Sequence, residues 1–141
     1  MKTSHSASRG DRRDKSGQAL TEFAIALPLL SLLLFAIIQY GFIFAAYVTL
    51  RHGAHYTART AALAGADSGT SNMTAIAKAA ITPMLDPTQL ESVVVTSNEV
   101  SGISAMNAQL TYDLPLIISF VVPGASSGTM VLKADATYRS N

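Results

Sequence analysis

Glu22 stands five residues after Gly17, in the stretch Lys15-Ser-Gly-Gln-Ala-Leu-Thr-Glu-Phe, and Phe23 behind it opens a long run without charge. A carboxylate at the mouth of an apolar run is costly beside hydrocarbon and marks a specific partner. The plainer reading is that it stabilises the positive end of a helix dipole. Other residues offer less chemistry. His52 and His55 have the i, i+3 spacing of a metal-ligand pair, but no third ligand stands near them, so no metal site is expected. The chain has no Cys, which removes thiol nucleophiles and Cys-based zinc sites. Acidic residues are sparse and scattered, and no Gly-rich phosphate loop is present, so neither an enzyme nor a bound cofactor is expected.

The elements that must position Glu22 begin with the run itself. Phe23 to Leu50 contains no charged residue and no His, and fourteen of the residues from Phe23 to Phe44 are Leu, Ile or Phe. As a helix those 28 residues reach about 42 Å, against roughly 30 Å of bilayer hydrocarbon. A chain of 141 residues has no core able to surround such a length, so a transmembrane helix is the reading. Pro28 removes a backbone donor and crowds the carbonyl of Ala24, which predicts a kink of the kind membrane helices tolerate. Gly41 and Ala45 form a small-xxx-small pair that permits close approach of another helix.

Charge is distributed unevenly along the chain. Residues 1–17 carry five basic and two acidic residues, and the remainder carries five basic and seven acidic. Positive residues stay cytoplasmic, which places the N-terminus inside and exports the C-terminal part. The slightly acidic remainder lacks an aromatic-basic face, so no nucleic-acid partner is expected. A secretory signal peptide does not fit, because no small-residue cleavage site follows the apolar run at the right distance.

The stretch from Gly17 to Gly65, GQALTEFAIALPLLSLLLFAIIQYGFIFAAYVTLRHGAHYTARTAALAG, resembles the TadE-like family, pilin-like proteins of the tight-adherence (Tad) secretion system that builds Flp pili. The resemblance implies a processing site made of Gly17, Gln18, Glu22 and Phe23. A prepilin peptidase would cut between Gly17 and Gln18, and Glu22 would be the residue needed in the assembling subunit. It also implies partners: other pilin-like subunits, inner-membrane assembly proteins of the Tad system, and membrane lipid. The family's closing pattern of small residues and Arg is matched by Gly53-Ala54, Ala58-Arg59 and Ala61-Ala62. His52 and His55 are not part of it.

Beyond the membrane the helical pattern continues. Leu50, Ala54, Ala58, Ala61, Ala62 and Gly65 line one face, and Arg51, His55 and Arg59 another. The basic stripe is a solvated face or a contact for headgroups or an acidic partner helix. Gly65–Asn72 reads as a turn-rich break. Met73, Ile76, Ala77, Ala80, Ile81 and Met84 then follow amphipathic spacing, with Ser71 or Asn72 as cap and Pro83 and Pro87 bounding the end. After Pro87 the period becomes two. Leu90–Ser97, Ala105–Leu114 and Met130–Arg139 read as half-buried antiparallel strands. Leu116–Val122 reads either as a further buried strand or as an apolar contact loop, and Pro115 argues against a central strand through that point.

The fold class is therefore α+β: a long N-terminal helix, then a small helix packed on a short antiparallel sheet. The expected segments are a cleaved basic leader (1–17), a transmembrane helix (18–48), an exported helical extension (49–65) and a small exported module (66–141). Two functions compete. One is a trimmed pilin-like component of a Tad pilus, and the other is an uncleaved, single-pass anchored accessory or adhesin.

Overall fold

A computed structural model describes residues 10–64, 70–100, 103–118, 122 and 128–139. Residues 1–9 of the expected leader, residues 65–69 of the expected break and residues 119–121 of the apolar segment lie outside the described residues. Helix α1 (Gly10–Ala64) is followed by helix α2 (Thr70–Ile81), a short 3-10 helix (Pro87–Gln89) and strands β1 (Leu90–Val100), β2 (Ile103–Pro115) and β3 (Thr129–Arg139). The α+β class is as the sequence predicts. The chain divides into two compact units, Met1–Ile38 and Gln39–Asn141.

In the second unit the three strands form one antiparallel sheet in the order β1-β2-β3. Register follows the alternation of side chains: Leu110 pairs with Val93 and Ala134, and Ala108 with Val95 and Ala136. One face thus collects Leu90, Val93, Ala108, Leu110, Tyr112, Leu132, Ala134 and Ala136, and these join Leu50, Ala54 and Ala58 of α1 and Ala77 and Ile81 of α2 in one core. A second cluster holds Ala61, Ala62, Met73 and Met106. Of the face of α1 read from spacing, Leu50, Ala54, Ala58, Ala61 and Ala62 are buried and Gly65 lies outside the described residues, while Arg51, His55 and Arg59 are exposed. On the opposite side of the sheet Asn107 donates to the Thr137 hydroxyl at 2.9 Å.

Small residues on α1 have a packing reason. At Gly53 a Cβ would sit 2.8 Å from Cγ2 of Ile81, so a side chain there requires Ile81 to move, while Cδ2 of Leu110 at 3.5 Å is at ordinary contact distance. Ala54 and Ala58, fully buried, keep the same face thin.

Two local expectations are corrected. Helix α2 starts at Thr70, so Ser71 and Asn72 lie inside it and neither caps it. Met84 does not share the buried face: α2 ends at Ile81, and Met84 is exposed. Pro83 disfavours helical geometry at Thr82 and supplies no donor, which stops the helix one turn short. The chain then turns into the 3-10 helix, where Asp86 caps by accepting from the Thr88 amide at 2.9 Å, with Pro87 in the first position. That bond, with a second from the Thr88 hydroxyl, holds the Asp86 carboxyl below its ordinary range. Burial pushes the Tyr112 phenol up, only partly offset by a hydrogen bond from the Asp86 backbone.

Of the apolar segment after β2, Leu116–Ile118 is not a strand. Strand β2 ends at Pro115, which pairs with Thr129 beyond the last residue paired to β1. The central strand therefore loses no two-sided bonding to the proline.

Candidate functional site

The residues around Gly17 lie on an unbroken helix, since α1 begins at Gly10 and continues through the Gly17–Gln18 bond. The Thr21 hydroxyl donates to the Gly17 carbonyl at 3.0 Å, and the Gln18 side-chain amide donates to Glu22 Oε1 at 3.0 Å. Residue 18 and the carboxylate thus share one helix face a turn apart. A Cβ on Gly17 would meet nothing within 4 Å, so the glycine is not required by packing. Phe23 next to Glu22 is exposed, as are all large apolar residues from Leu20 to Ile38.

That exposure decides what this part of α1 is suited to. From Phe23 to Ile38 the helix is apolar on every side and its large side chains are exposed among the described residues, a surface suited to lipid and not to water. Among the described residues α1 is the one helix long and apolar enough to cross a membrane, over Gly17–Ala64. The helix is assigned without interruption through Pro28. Gly41 is exposed with open space where a Cβ would be, and Ala45, half-buried, offers its carbonyl to the Thr49 hydroxyl at 2.9 Å.

Residues 17–59 match the family model of TadE-like proteins. The match covers 43 of the 141 residues. The match opens on Gly17 and takes in Gln18, Glu22, Phe23, Pro28, Gly41, Ala45, Gly53 and Arg59. It covers the apolar helix and most of the buried Ala face, and none of α2 or the sheet. The similarity is to TadE-like proteins over this segment, which holds most of the one candidate membrane helix among the described residues. Searches of curated proteins and of solved structures returned no match.

Within the TadE-like segment one residue matters more than its sequence suggests. Gln39 reads only as a polar interruption of an apolar run, yet it is buried, and its Oε1 accepts the Ile117 backbone N–H at 3.2 Å. Its partner lies 78 positions away, so no local pattern announces it. His52 and His55 are both exposed, and among the described residues no three His, Cys, Asp or Glu side chains gather as metal ligands.

Proposed function

We propose that the chain is a pilin-like component, a pseudopilin or minor pilin, of a Tad-type pilus assembly and secretion system, trimmed after Gly17 by a prepilin peptidase. The observation that carries this reading is where the family match begins: on Gly17, with Glu22 the fifth residue beyond it. The N-terminus lies in the cytoplasm, α1 crosses the bacterial inner membrane once, and the sheet is exported, in keeping with the basic residues before the helix. The role is structural and not catalytic, in pilus assembly and surface adherence.

Trimming creates an α-amino group on Gln18, one helical turn from Glu22. In a bundle of parallel helices Glu22 of one subunit meets the ammonium of its neighbour, and the pairing offsets the cost of holding either charge near hydrocarbon. Charge then fixes the register between helices that would otherwise slide in lipid.

Intact mass of the membrane-extracted protein, with and without the peptidase, tests this. Residues 1–17 should be lost only when the peptidase is present. Gly17→Leu should retain them, and the open space around Gly17 makes that result a report on recognition and not on folding. Glu22→Ala should be trimmed but fail to assemble. Protein that still begins at Met1 in peptidase-bearing cells would overturn the reading. It would favour the uncleaved anchored accessory, which the unbroken helix across the Gly17–Gln18 bond supports, because that bond must unwind before it can be cut.

A further inference from the structure

Beside residues 39–49 of α1 lies an apolar groove of about 500 Å³, walled by Gln39, Phe42 and Ala45 on the helix and by Met84, Pro115 and Ile117 from the two turns facing it. Its rim is formed by the turn after α2 and the turn after β2. Met84 and Ile117 on them are 70% and 71% exposed. Irregular backbone ordinarily needs water for its unpaired donors. Here the N–H groups of residues 82–85 and 115–117 are all accounted for. Thr82 N–H goes to the Lys78 carbonyl at 3.0 Å, Met84 N–H and Leu85 N–H go to the Ile81 carbonyl at 3.1 and 2.9 Å, and Pro83 has no N–H. On the other turn Pro115 has none, Leu116 N–H goes to the Gly128 carbonyl at 2.8 Å, and Ile117 N–H goes to Gln39 Oε1 at 3.2 Å.

Exposed apolar side chains on backbone whose amides are paired, as at residues 82–85 and 115–117, suit contact with hydrocarbon, where an unpaired donor is costly. The position along α1 agrees. Counted from Glu22 at 1.5 Å per residue, about 30 Å of hydrocarbon ends near residue 42. The first charge after the run is Arg51. Residues 39–49 therefore occupy the exit boundary of a bilayer, and the groove opens at that depth.

We propose that the occupant is membrane lipid: the turns at Pro83–Leu85 and Pro115–Ile117 dip into the outer boundary of the bilayer beside α1, with Met84 and Ile117 among the acyl chains. In this arrangement Gln39 serves as the internal acceptor that lets the second turn leave water. The proposal rests on the membrane-spanning reading of α1, and the experiment separates the two.

The chain has no Trp, so one introduced Trp is a unique reporter. Met84→Trp, Ile117→Trp, Leu30→Trp and Ser97→Trp, each in the full chain in phosphatidylcholine vesicles, are compared with acyl chains brominated at shallow or deep positions. All four positions are exposed, so the fold should tolerate each change, and circular dichroism checks that it does. Trp at 84 and 117 should lose emission most with shallow bromines and at 30 most with deep ones, while Trp at 97, toward the opposite end of β1, should lose none. Quenching at 30 without quenching at 84 and 117 overturns the proposal and leaves the spanning helix standing. No quenching at 30 removes both. Emission at 84 and 117 that ignores bromine but shifts as protein is diluted in lipid replaces lipid with a second copy of the chain.

Discussion

The two ends of α1 are built from different residues for opposite surroundings. From Leu20 to Ile38 the apolar side chains point in all directions and are left bare. From Ala46 to Ala62 the apolar residues gather on one face, where Leu50, Ala54 and Ala58 disappear against the sheet while Arg51, His55 and Arg59 face outward. Hydropathy separates these halves, since Leu, Ile and Phe fill the first while Ala, Thr, His and Arg fill the second, and periodicity adds which face of the second is buried. The lesson is that the length of an apolar run gives what it can cross, whereas the spacing of its small residues gives what it packs on.

The strongest way to break this contrast is truncation on either side of it. Leu50→Ala removes a fully buried side chain and should cost the second unit about 2–5 kcal/mol. Leu30→Ala, on the bare stretch, should leave the thermal unfolding of the sheet, followed by circular dichroism in detergent, where it was. Equal losses would mean the two stretches share one folding unit. A smaller effect, about 1–3 kcal/mol, is expected for Gly53→Val, because Ile81 must move to admit the new carbons. Gly17→Val, with nothing nearby, serves as its counterpart and should not change the melting of the sheet.

Gln39→Leu sharpens the boundary itself. Losing the acceptor for Ile117 N–H should cost about 1 kcal/mol and show as faster amide exchange at Ile117, with Leu110 unaffected. Unchanged exchange at Ile117 would remove Gln39 from the account of the second turn. The smallest effect concerns Asp86, which is solvent-exposed. Its carboxyl titrates below the ordinary range, so its contribution is present above the unfolded value of about 4 and is lost as pH falls through the lower folded value. Asp86→Asn should flatten that acid-side slope in a melting series, and a slope identical to the parent's would assign it to other carboxylates.

Much of this architecture is legible without coordinates, and the exceptions have physical causes. Alternation in Ala105–Leu114 gives the buried face of β2 because a strand repeats every two residues. Tyr138 fits the same alternation on β3 but is 40% exposed, since it pairs near the open end of the sheet, opposite Met106. The start of α2 is hidden because Ser71 and Asn72 suit a cap and an interior first turn alike, and Met84 is misplaced because periodicity continues past the proline that ends the helix. At the candidate site the Gly17–Glu22 spacing is local and readable. The Gln39–Ile117 bond and the crowding at Gly53 are not, because each depends on chain distant in sequence.

Strand β2 is the one described strand with a neighbour on both sides, and β3, the last to be synthesised, supplies one of them. The core therefore closes only when β3 pairs, because until then Leu132, Ala134 and Ala136 are missing from the wall opposite α1.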